Sequence, residues 1–427
     1  MSEENTLPYF HGALLDDDVD KLLESNGDFL LQTKFEQSKK KNKLVLAVKH
    51  DHRTIRVPIS RLEKGYRISG RSFPTMNTLI KYYHEHSIEI NGIESLLLKR
   101  PIKKGKFQLN HSDIKIIKKI GYGAYGTVYK GVLLKNLCTV AVKRIDCADK
   151  SEQALIDLMK EARVMQLYDH INVVKFYGFI VDREPFLLVM EYCKDGSVED
   201  KLKQYGHQLS IESRIDMACQ IARGLEDIAT RNCLLSGTIV KLADFGMCRA
   251  TLVYKIDLSK PQNVRWLAPE TRFCTDMFAF AITLWELFTI PYTHPYSAWK
   301  AYKVKEKVMA GYRLPSPNDM PESMITIMRR CWDHDPSKRP TAKQAREYLE
   351  EIYQNLATAS PHTAVLSQGS SKLTASKEDD SSMSTSETST RLSRERRVIK
   401  REKKHDDLQA QHTQYIILLK MPEHYSG

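Results

Sequence analysis

The stretch that decides the fold runs from Asp227 to Glu270. It holds three short motifs in one order: Asp227-Ile-Ala-Thr-Arg231-Asn232, Asp244-Phe245-Gly246 and Val264-Arg265-Trp266-Leu267-Ala268-Pro269-Glu270. A short motif is weak evidence by itself, and a lone acidic residue is usually a surface charge. The ordered set is much more specific, and it indicates a functional site.

A glycine-rich segment lies upstream of this stretch, at Gly121-Tyr-Gly123-Ala-Tyr-Gly126-Thr-Val128. Glycines allow backbone N–H groups to approach phosphate oxygens closely. The motif alone is weak, because glycines also mark ordinary turns and dinucleotide-binding loops. Its context is stronger, since residues 116–120 and 128–130 are predicted to be strands. The segment therefore predicts a phosphate-binding hairpin.

Together with Lys143, at the end of the apolar run 140–143, these motifs resemble those of a protein tyrosine kinase. The resemblance implies transfer of the ATP γ-phosphoryl group to protein tyrosine, with ATP and Mg²⁺ as cofactors. Arg231 and the motif at 264–270 resemble tyrosine kinases rather than serine/threonine kinases. Tyr254 matches an autophosphorylation site, which implies a phosphoprotein of intracellular signalling.

The resemblance also implies a role for each site residue. Asp227 would accept the proton of the substrate hydroxyl, and Asn232 and Asp244 would hold Mg²⁺. Lys143 would bind the ATP phosphates, oriented by an ion pair with Glu161. The implied catalytic residues are Asp227, Arg231, Asn232, Lys143 and Glu161. The implied nucleotide-binding residues are Ile120, Gly121, Gly123, Gly126, Val128, Ala141, Lys143, Met190, Glu191, Cys193, Leu234 and Asp244.

Three of these residues have simpler explanations when each is taken alone. Lys143 fits a lysine whose ammonium group reaches solvent, and Glu161 fits an ordinary solvated helix residue. Met190 is equally well explained as a core residue. Their order along the chain after the glycine-rich segment favours the nucleotide site.

The first part of the chain, residues 7–100, is predicted to be a compact α/β module. Hydrophobic periodicity predicts helices at 16–23 and 73–84 and strands at 29–31, 44–48 and 54–59. Three segments of this module resemble an SH2 domain over nearly its whole length. They are Tyr9-Phe10-His11-Gly12, Gly27-Asp28-Phe29-Leu30-Leu31 and Ser72-Phe73-Pro74.

SH2 domains bind phosphotyrosine mainly through an arginine, whose guanidinium bonds two phosphate oxygens. The matching position here is Gln32, and Asp16 stands where a second arginine is expected. Arg56 lies near a third phosphate-facing position. The replacements predict weak phosphotyrosine binding, with the module acting as a brace on the kinase or as a docking surface independent of phosphate. Alternatively, Arg56 or lysines 39–41 restore phosphotyrosine binding in another geometry.

Two departures from the kinase pattern flank the catalytic motifs. The family carries a His-Arg pair before the catalytic Asp, whereas Glu226 here joins Asp227 directly and about ten residues of the pattern are absent. About six more are absent between Glu270 and Asp276. Because phosphoryl transfer depends on positioning, three alternatives stand. The chain is an active kinase, a catalytically impaired pseudokinase or scaffold that holds nucleotide, or a splice or gene-model variant of an active kinase.

The predicted fold class is α+β, with an SH2-like domain followed by a two-lobed protein-kinase-like domain and a disordered basic tail. The expected boundaries are 7–100 for the SH2-like domain, 101–112 for a linker, 113–355 for the tyrosine-kinase domain and 356–427 for the Ser/Thr-rich and basic tail. This arrangement resembles the Fes/Fer group of cytoplasmic (non-receptor) tyrosine kinases over roughly four-fifths of the chain.

Composition limits the remaining functions. The 427 residues carry a net charge of +12, and segment 391–404 of the tail is strongly basic. Specific nucleic-acid recognition is not expected, because no aromatic stacking platform accompanies this segment, but an acidic membrane surface is a candidate partner.

The eight cysteines lack metal-site or disulfide spacing. The apolar window 277–290 is too short for a membrane span, and no signal peptide is evident. The expected location is the cytoplasm, with peripheral plasma-membrane attachment as an option.

Overall fold

The computed structural model describes residues 3–36, 41–90, 93–123, 126–145, 151–227, 232–243, 248–249, 264–269, 275–359 and 416–417. The chain divides into two compact units, one of residues 1–201, 230–248 and 418–427, the other of residues 202–229 and 249–417. The first unit is rich in strands and the second in helices, as the sequence predicts for an α+β protein. Four residues of interest, Arg231, Asp244, Tyr254 and Glu270, lie outside the described residues, as does the basic segment 391–404.

The N-terminal domain consists of a mixed sheet, a hairpin and two helices. Its strands are β1 (Asp28–Glu36), β2 (Lys41–His50), β3 (Arg53–Leu62), β4 (Gly65–Ile68), β5 (Arg71–Phe73), β6 (Ile88–Ile90), β7 (Ile93–Leu96) and β8 (Arg100–Pro101), and its helices are α1 (Asp16–Leu22) and α2 (Met76–Glu85). The sheet order is β5-β4-β3-β2-β1-β8, and β6 pairs with β7 separately. The strands predicted at 29–31, 44–48 and 54–59 lie within β1, β2 and β3, and α1 lies within the predicted helix 16–23, whereas β4 to β8 were not predicted.

Both faces of strand β1 are buried. Residues 29–31 are fully buried, as expected for a continuous apolar run. Asp28 begins the strand and is also buried. Its carboxylate accepts hydrogen bonds from the backbone N–H groups of Glu24 and Ser25 and from the guanidinium of Arg100. These bonds satisfy a carboxylate that burial would otherwise destabilise.

Helix α2 begins later than the sequence pattern predicts. Phe73 ends β5, and the helix starts at Met76 rather than at residue 73. The reason is an N-cap, because the side chain of Thr75 accepts a hydrogen bond from the backbone N–H of Thr78 at 3.1 Å. Side-chain oxygens at this position satisfy N–H groups that have no partner inside the helix.

The second sheet of the first unit includes part of the segment expected as a linker. Its strands are β9 (Gln108–Leu109), β10 (Ile114–Gly123), β11 (Gly126–Leu133), β12 (Cys138–Arg144), β13 (Phe176–Ile180) and β14 (Leu187–Glu191), in the order β10-β11-β12-β14-β13-β9. Strand β9 lies within 101–112 and pairs in parallel with β13. The two approach closely, since a Cβ atom on Gly178 would lie 2.4 Å from the carbonyl oxygen of Phe107. Helix α3 (Ser151–Met165) contacts β13 and β14.

The remaining helices are α4 (Val198–Tyr205), α5 (Ile211–Asp227), α6 (Thr275–Phe288), α7 (Ala301–Met309), α8 (Glu322–Cys331) and α9 (Ala342–Ala359), and the remaining strands are β15 (Asn232–Ser236), β16 (Ile239–Ala243), β17 (Cys248–Arg249) and β18 (Ile416–Ile417). Short 3₁₀ helices occur at Glu3–Thr6, His111–Asp113, Gly206–Gln208, Val264–Trp266 and Pro336–Lys338.

Within the second unit, helices α5 and α9 pack side by side. Nε of Arg223 lies 2.7 Å from a carboxylate oxygen of Glu350 across this contact. Helix α6 coincides with the apolar window 277–290, and residues 277–282 are all buried. None of the described helices is long and apolar enough to cross a membrane. Helix α9 continues through Ala359, so helix covers the first residues of the predicted tail.

Candidate active site

Strands β10 and β11 form the predicted glycine-rich hairpin. Gly121 pairs with Val128, and Gly123 pairs with Gly126. Gly126 has a φ angle of +128°, which side chains of L-residues rarely adopt. A Cβ atom on Gly121 would meet only Cβ of Val128, at 4.0 Å, so the backbone there is open to a ligand. Ile120, just before it, is exposed.

Lys143 on β12 and Glu161 on α3 form a buried ion pair. The ammonium nitrogen lies 2.8 Å from Oε1 and 2.9 Å from Oε2 of the carboxylate. The side chains are 10% and 3% exposed, respectively. Strand pairing places Lys143 directly opposite Val128 of the glycine-rich hairpin. The structure thus brings together the lysine predicted to bind phosphate, its predicted partner and the hairpin.

Strand β14 ends at the residues expected to contact adenine. Met190 is buried and pairs with Ala141 of β12. The backbone N–H of Glu191 donates to the carbonyl of Lys175 at 2.8 Å. Burial, reinforced by the negative charge of Glu191, raises the pKa of the Cys193 thiol to about 12. Cys193 is therefore a neutral, half-buried thiol beside the predicted adenine contact.

The sequence pattern did not single out Lys241, which fixes the Glu191 side chain. Lys241 lies on β16 and is buried. Its ammonium group is 3.1 Å from a carboxylate oxygen of Glu191 and 2.8 Å from the carbonyl oxygen of Ile171. The available signal was a lysine within the apolar run 239–243, just before the Asp-Phe-Gly motif. A lysine in a buried strand is nearly always paired.

Strands β15 and β16 form a hairpin that carries Leu234 and Asn232. Leu234 is half-buried and pairs with Lys241, and it also forms a bridge with Ser197. Asn232 pairs with Ala243, the residue that precedes Asp244 in the chain. This register brings the Asn232 backbone next to the start of the Asp-Phe-Gly motif. The Asn232 side chain and Asp244 fall outside the described part.

Asp227 is the last residue of helix α5 in the second unit. The helix is continuous from Ile211, so the amphipathic segment at 215–225 leads directly into the catalytic motif. Residues 228–231, with Arg231, lie outside the described residues. Within the described ranges, no group of three or more His, Cys, Asp or Glu side chains could hold a metal ion.

The third motif, at 264–270, is held by hydrogen bonds within the second unit. The guanidinium of Arg265 donates to the carbonyl oxygens of Pro295 and Trp299, at 2.8 and 2.9 Å. The indole N–H of Trp266 donates to the carboxylate of the buried Glu286 at 3.0 Å. Burial lowers the pKa of Arg265. These bonds fix the position of the motif.

The residues of the predicted phosphotyrosine pocket lie together in the N-terminal domain. Nη2 of Arg56 is 2.6 Å from the Asp20 carboxylate, and Nε of Arg56 is 3.1 Å from the Asp16 carboxylate. Lys34, which the sequence reading did not include, contacts both Asp16 oxygens at 2.6 and 2.7 Å. Gln32 is fully buried, and neither of its polar atoms has a hydrogen-bond partner among the described residues.

The N-terminal domain also contacts the second sheet of the same unit. The backbone N–H of Ala13 donates to the carbonyl of Val181 at 2.7 Å. Gly12 has a φ of +68°, and a Cβ atom there would lie 2.1 Å from the same carbonyl oxygen. Asp18 of α1 pairs with Arg163 of α3 at 2.6 Å. Helix α1 therefore contacts the helix that carries Glu161.

Comparison with known proteins identifies the family of the chain. Residues 114–349 match the family model described as protein tyrosine and serine/threonine kinase. The match covers more than half of the chain, and the chain belongs to this family. Residues 5–86 match a second model, described as a domain of unknown function.

Several curated kinases are similar to the chain. Tyrosine-protein kinase Fer of Rattus norvegicus is 32% identical over 365 residues, which cover 81% of this chain and 44% of that protein. The transforming protein Fps of avian sarcoma virus (strain PRCII), a tyrosine-protein kinase, is 32% identical over 78% of this chain and 65% of its own length. Fer-related kinase 1 of Caenorhabditis elegans is 29% identical over 81% of this chain and 94% of its own length. The chain thus spans about half the length of the Fer protein.

Proposed function

We propose that this chain is a protein tyrosine kinase of the Fes/Fer type, which transfers the γ-phosphoryl group of ATP to tyrosine in protein substrates. The observation that carries the proposal is the buried, bidentate pair between Lys143 and Glu161. A buried lysine paired in this way is held in a fixed position, which a phosphate clamp needs. The similarity to Fer and Fps kinases supports tyrosine as the acceptor.

The nucleotide would lie along the first unit's second sheet. The backbone of Gly121, Gly123 and Gly126 would face the phosphates, with Lys143 opposite Val128. The apolar nucleotide contacts would be Ile120, Val128, Ala141, Met190 and Leu234, together with the backbones of Glu191 and Cys193. Lys241 would keep the Glu191 segment in place through its ion pair.

Mg²⁺ would be held by Asn232 and Asp244, whose amide and carboxylate oxygens are ligands that this ion prefers. The ion would neutralise charge that develops on the phosphates. Asp227 would accept the proton of the tyrosine hydroxyl. Arg231, in the same loop, would assist catalysis. Tyr254 is the proposed autophosphorylation site.

A second candidate function is a pseudokinase or scaffold that binds nucleotide without transferring phosphate. The observation that favours it is the position of Asp227, which closes helix α5 with no His-Arg pair before it. A displacement of about 1 Å at a catalytic group costs on the order of a hundredfold in rate. Nucleotide binding through Lys143 and the hairpin requires no such precision at Asp227.

The domain boundaries, the N-terminal ligand and the location in the cell complete the proposal. Residues 7–100 would form an SH2-like domain with weak phosphotyrosine binding, residues 101–112 a connection and residues 113–355 the kinase domain, and a disordered tail would follow the end of α9 at Ala359. The tail segment 391–404 would attach the protein to acidic membrane surfaces from the cytoplasm.

One experiment separates the two candidates. Purified chain and its Asp244→Asn variant are incubated with ATP, Mg²⁺ and a Glu/Tyr copolymer, and phosphotyrosine is measured. Incorporation above the variant's background supports the kinase and contradicts the pseudokinase. A nucleotide-induced rise in the melting temperature with no incorporation supports the pseudokinase. A chain that shows neither contradicts both, and Lys143→Met is the matched control for nucleotide binding.

A further inference from the structure

Four large apolar side chains are exposed together beside one end of strand β10. Ile116 and Ile117 of β10 are 45% and 54% exposed. Leu134 and Leu137, in the turn between β11 and β12, are 45% and 76% exposed. The backbone N–H of Leu134 donates to the carbonyl of Asp113 at 2.8 Å, so the turn lies next to the start of β10. A strand residue spans only about 3.3 Å, so the four side chains share one small area, and we call them the hairpin patch.

The backbone itself holds two members of the hairpin patch outward. The pairing of β10 with β11 shifts between Ile116 and Lys118, which leaves Ile117 as the extra residue of a β-bulge. Leu137 has a φ of +54°, a left-handed conformation that suits Gly or Asn better than a bulky side chain. Leu137 is also more exposed than any other large apolar side chain in the described part of the chain. Packing therefore does not repay its backbone strain, and strain of this kind is concentrated at functional positions.

The hairpin patch lies in a segment that carries only positive charge. Residues 114–145 contain no aspartate or glutamate and seven cationic residues, which are Lys115, Lys118, Lys119, Lys130, Lys135, Lys143 and Arg144. Four of these are exposed, namely Lys115, Lys118, Lys119 and Lys135. Within the described ranges, no carboxylate lies within ion-pair distance of these four ammonium groups. The patch is therefore an apolar surface with cations around it that the described carboxylates do not neutralise.

Each of these features has an ordinary explanation when it is taken alone. Lysines on an edge strand prevent pairing with other chains, and scattered exposed apolar residues are common. Neither explanation covers lysines that surround apolar side chains held outward by a bulge and a strained turn. Leu137 stands at a turn and is mostly exposed, so the tip of the patch is convex. A bilayer interface deforms around such a tip, and cations beside apolar side chains bind anionic lipid surfaces.

We propose that the hairpin patch inserts into the headgroup region of an anionic phospholipid bilayer, with the surrounding lysines bound to the lipid headgroups. This contact is separate from the one proposed for the tail segment 391–404, and it does not depend on phosphoryl transfer. It would bring the second sheet of the first unit onto the membrane. Gly123, at the other end of β10, lies about 20 Å along the strand from Ile117, so the glycine-rich hairpin would stay clear of the lipid.

The first test measures binding of the purified full chain to vesicles by sedimentation. The vesicles contain phosphatidylcholine alone or phosphatidylcholine with phosphatidylserine. The chains compared are the unmodified protein, Ile117→Thr/Leu137→Asn and Leu167→Asn. Asn suits the left-handed conformation and Thr suits a strand, so the double variant should keep the melting temperature of the unmodified chain. Leu167, which is 50% exposed in a turn of the same unit, is the matched control.

We expect the double variant to bind the phosphatidylserine vesicles at least tenfold more weakly, and Leu167→Asn to bind them as the unmodified chain does. The tail is present in every chain, so its contribution is the same in all three. Equal binding by the unmodified chain and the folded double variant would overturn the proposal. An equal loss in Leu167→Asn would overturn it too, because any exposed leucine would then serve.

A second test reports insertion directly and does not depend on the fold of the double variant. Leu137→Trp and Leu167→Trp are mixed with phosphatidylserine vesicles that contain brominated lipid, which quenches tryptophan at headgroup and acyl-chain depth. We expect quenching beyond that of the unmodified chain for Leu137→Trp and none for Leu167→Trp. Absence of added quenching in Leu137→Trp would overturn the proposal. Sedimentation velocity without vesicles tests the other occupant, since self-association abolished by Ile117→Thr/Leu137→Asn with vesicle binding unchanged would assign the patch to a second copy of the chain.

Discussion

Asp18 on α1 and Arg163 on α3 form an ion pair in which Oδ1 and Nη2 are 2.6 Å apart. Arg163 lies two residues after Glu161, the partner of Lys143. The contact connects the N-terminal domain to helix α3, which carries the carboxylate partner of Lys143. Arg163 is 42% exposed and Asp18 is 16% exposed, so the contact is of moderate strength.

The first prediction concerns this contact. We expect Arg163→Gln to reduce the stability of α3 by about 0.5–1 kcal/mol, the range of partly exposed ion pairs. Amide hydrogen exchange should therefore accelerate in α3, while the second unit stays unchanged. Lys160→Gln removes the same charge from an exposed site of the same helix and should leave exchange unaltered. Equal acceleration in both variants would contradict a role for the pair.

The second prediction concerns Glu161. Glu161→Gln removes a charged partner of the buried Lys143 ammonium, which we expect to cost roughly 3 kcal/mol of stability. Mobility of the lysine should weaken ATP binding by about tenfold, equivalent to ~1.4 kcal/mol. Chemical denaturation and fluorescent-nucleotide titration measure the two effects. The exposed Glu152→Gln on the same helix is the control and should bind ATP normally.

The third prediction concerns the buried amide of Gln32. Gln32→Met keeps the length of the side chain and removes two polar atoms that have no partner among the described residues. We expect the N-terminal domain to gain about 1–2 kcal/mol, the cost of an unsatisfied buried group. Urea denaturation gives the sign directly. Gln32→Glu should have the opposite effect, because it buries a charge. A loss of stability in Gln32→Met would contradict the inference that the Gln32 amide destabilises the domain.

The fourth prediction concerns acid stability. Hydrogen bonds from Arg100 are the main reason that the pKa of Asp28 lies below its usual 3.8. The unfolded chain therefore takes up a proton at higher pH than the folded chain does. The stabilisation by this carboxylate is complete above about pH 5 and is lost as pH falls below about 4. Asp28→Asn should lower stability at neutral pH and flatten the acid limb of the unfolding profile.

The fifth prediction concerns the thiol of Cys193. Only the thiolate reacts with alkylating agents, and a pKa of about 12 leaves little thiolate at pH 8. We expect iodoacetamide to modify Cys193 on the order of a thousandfold more slowly than free cysteine, whose pKa is about 8.5. Time-resolved peptide mass spectrometry measures the rate. Labelling as fast as that of free cysteine would contradict the burial of this thiol.

Much of the fold is predictable from local pattern. The glycine-rich hairpin, strands β1 to β3 and helix α5 follow from apolar periodicity and turn residues, which depend only on neighbours along the chain. The start of α2 was predicted too early, because apolar periodicity continues past the point where Thr75 caps the helix. The pattern likewise gave no sign that residues 108–109 form a strand, since two residues are too few for a period.

The sequence by itself determined the kinase family, and its short motifs of fixed order predict which residues would bind nucleotide. The tertiary structure decided which charged side chains pair with one another. It places Asp16 within ion-pair distance of Lys34 and Arg56, and Glu191 within ion-pair distance of Lys241. The partners of a charged side chain depend on strand register and helix packing between distant segments, and burial makes those partners essential.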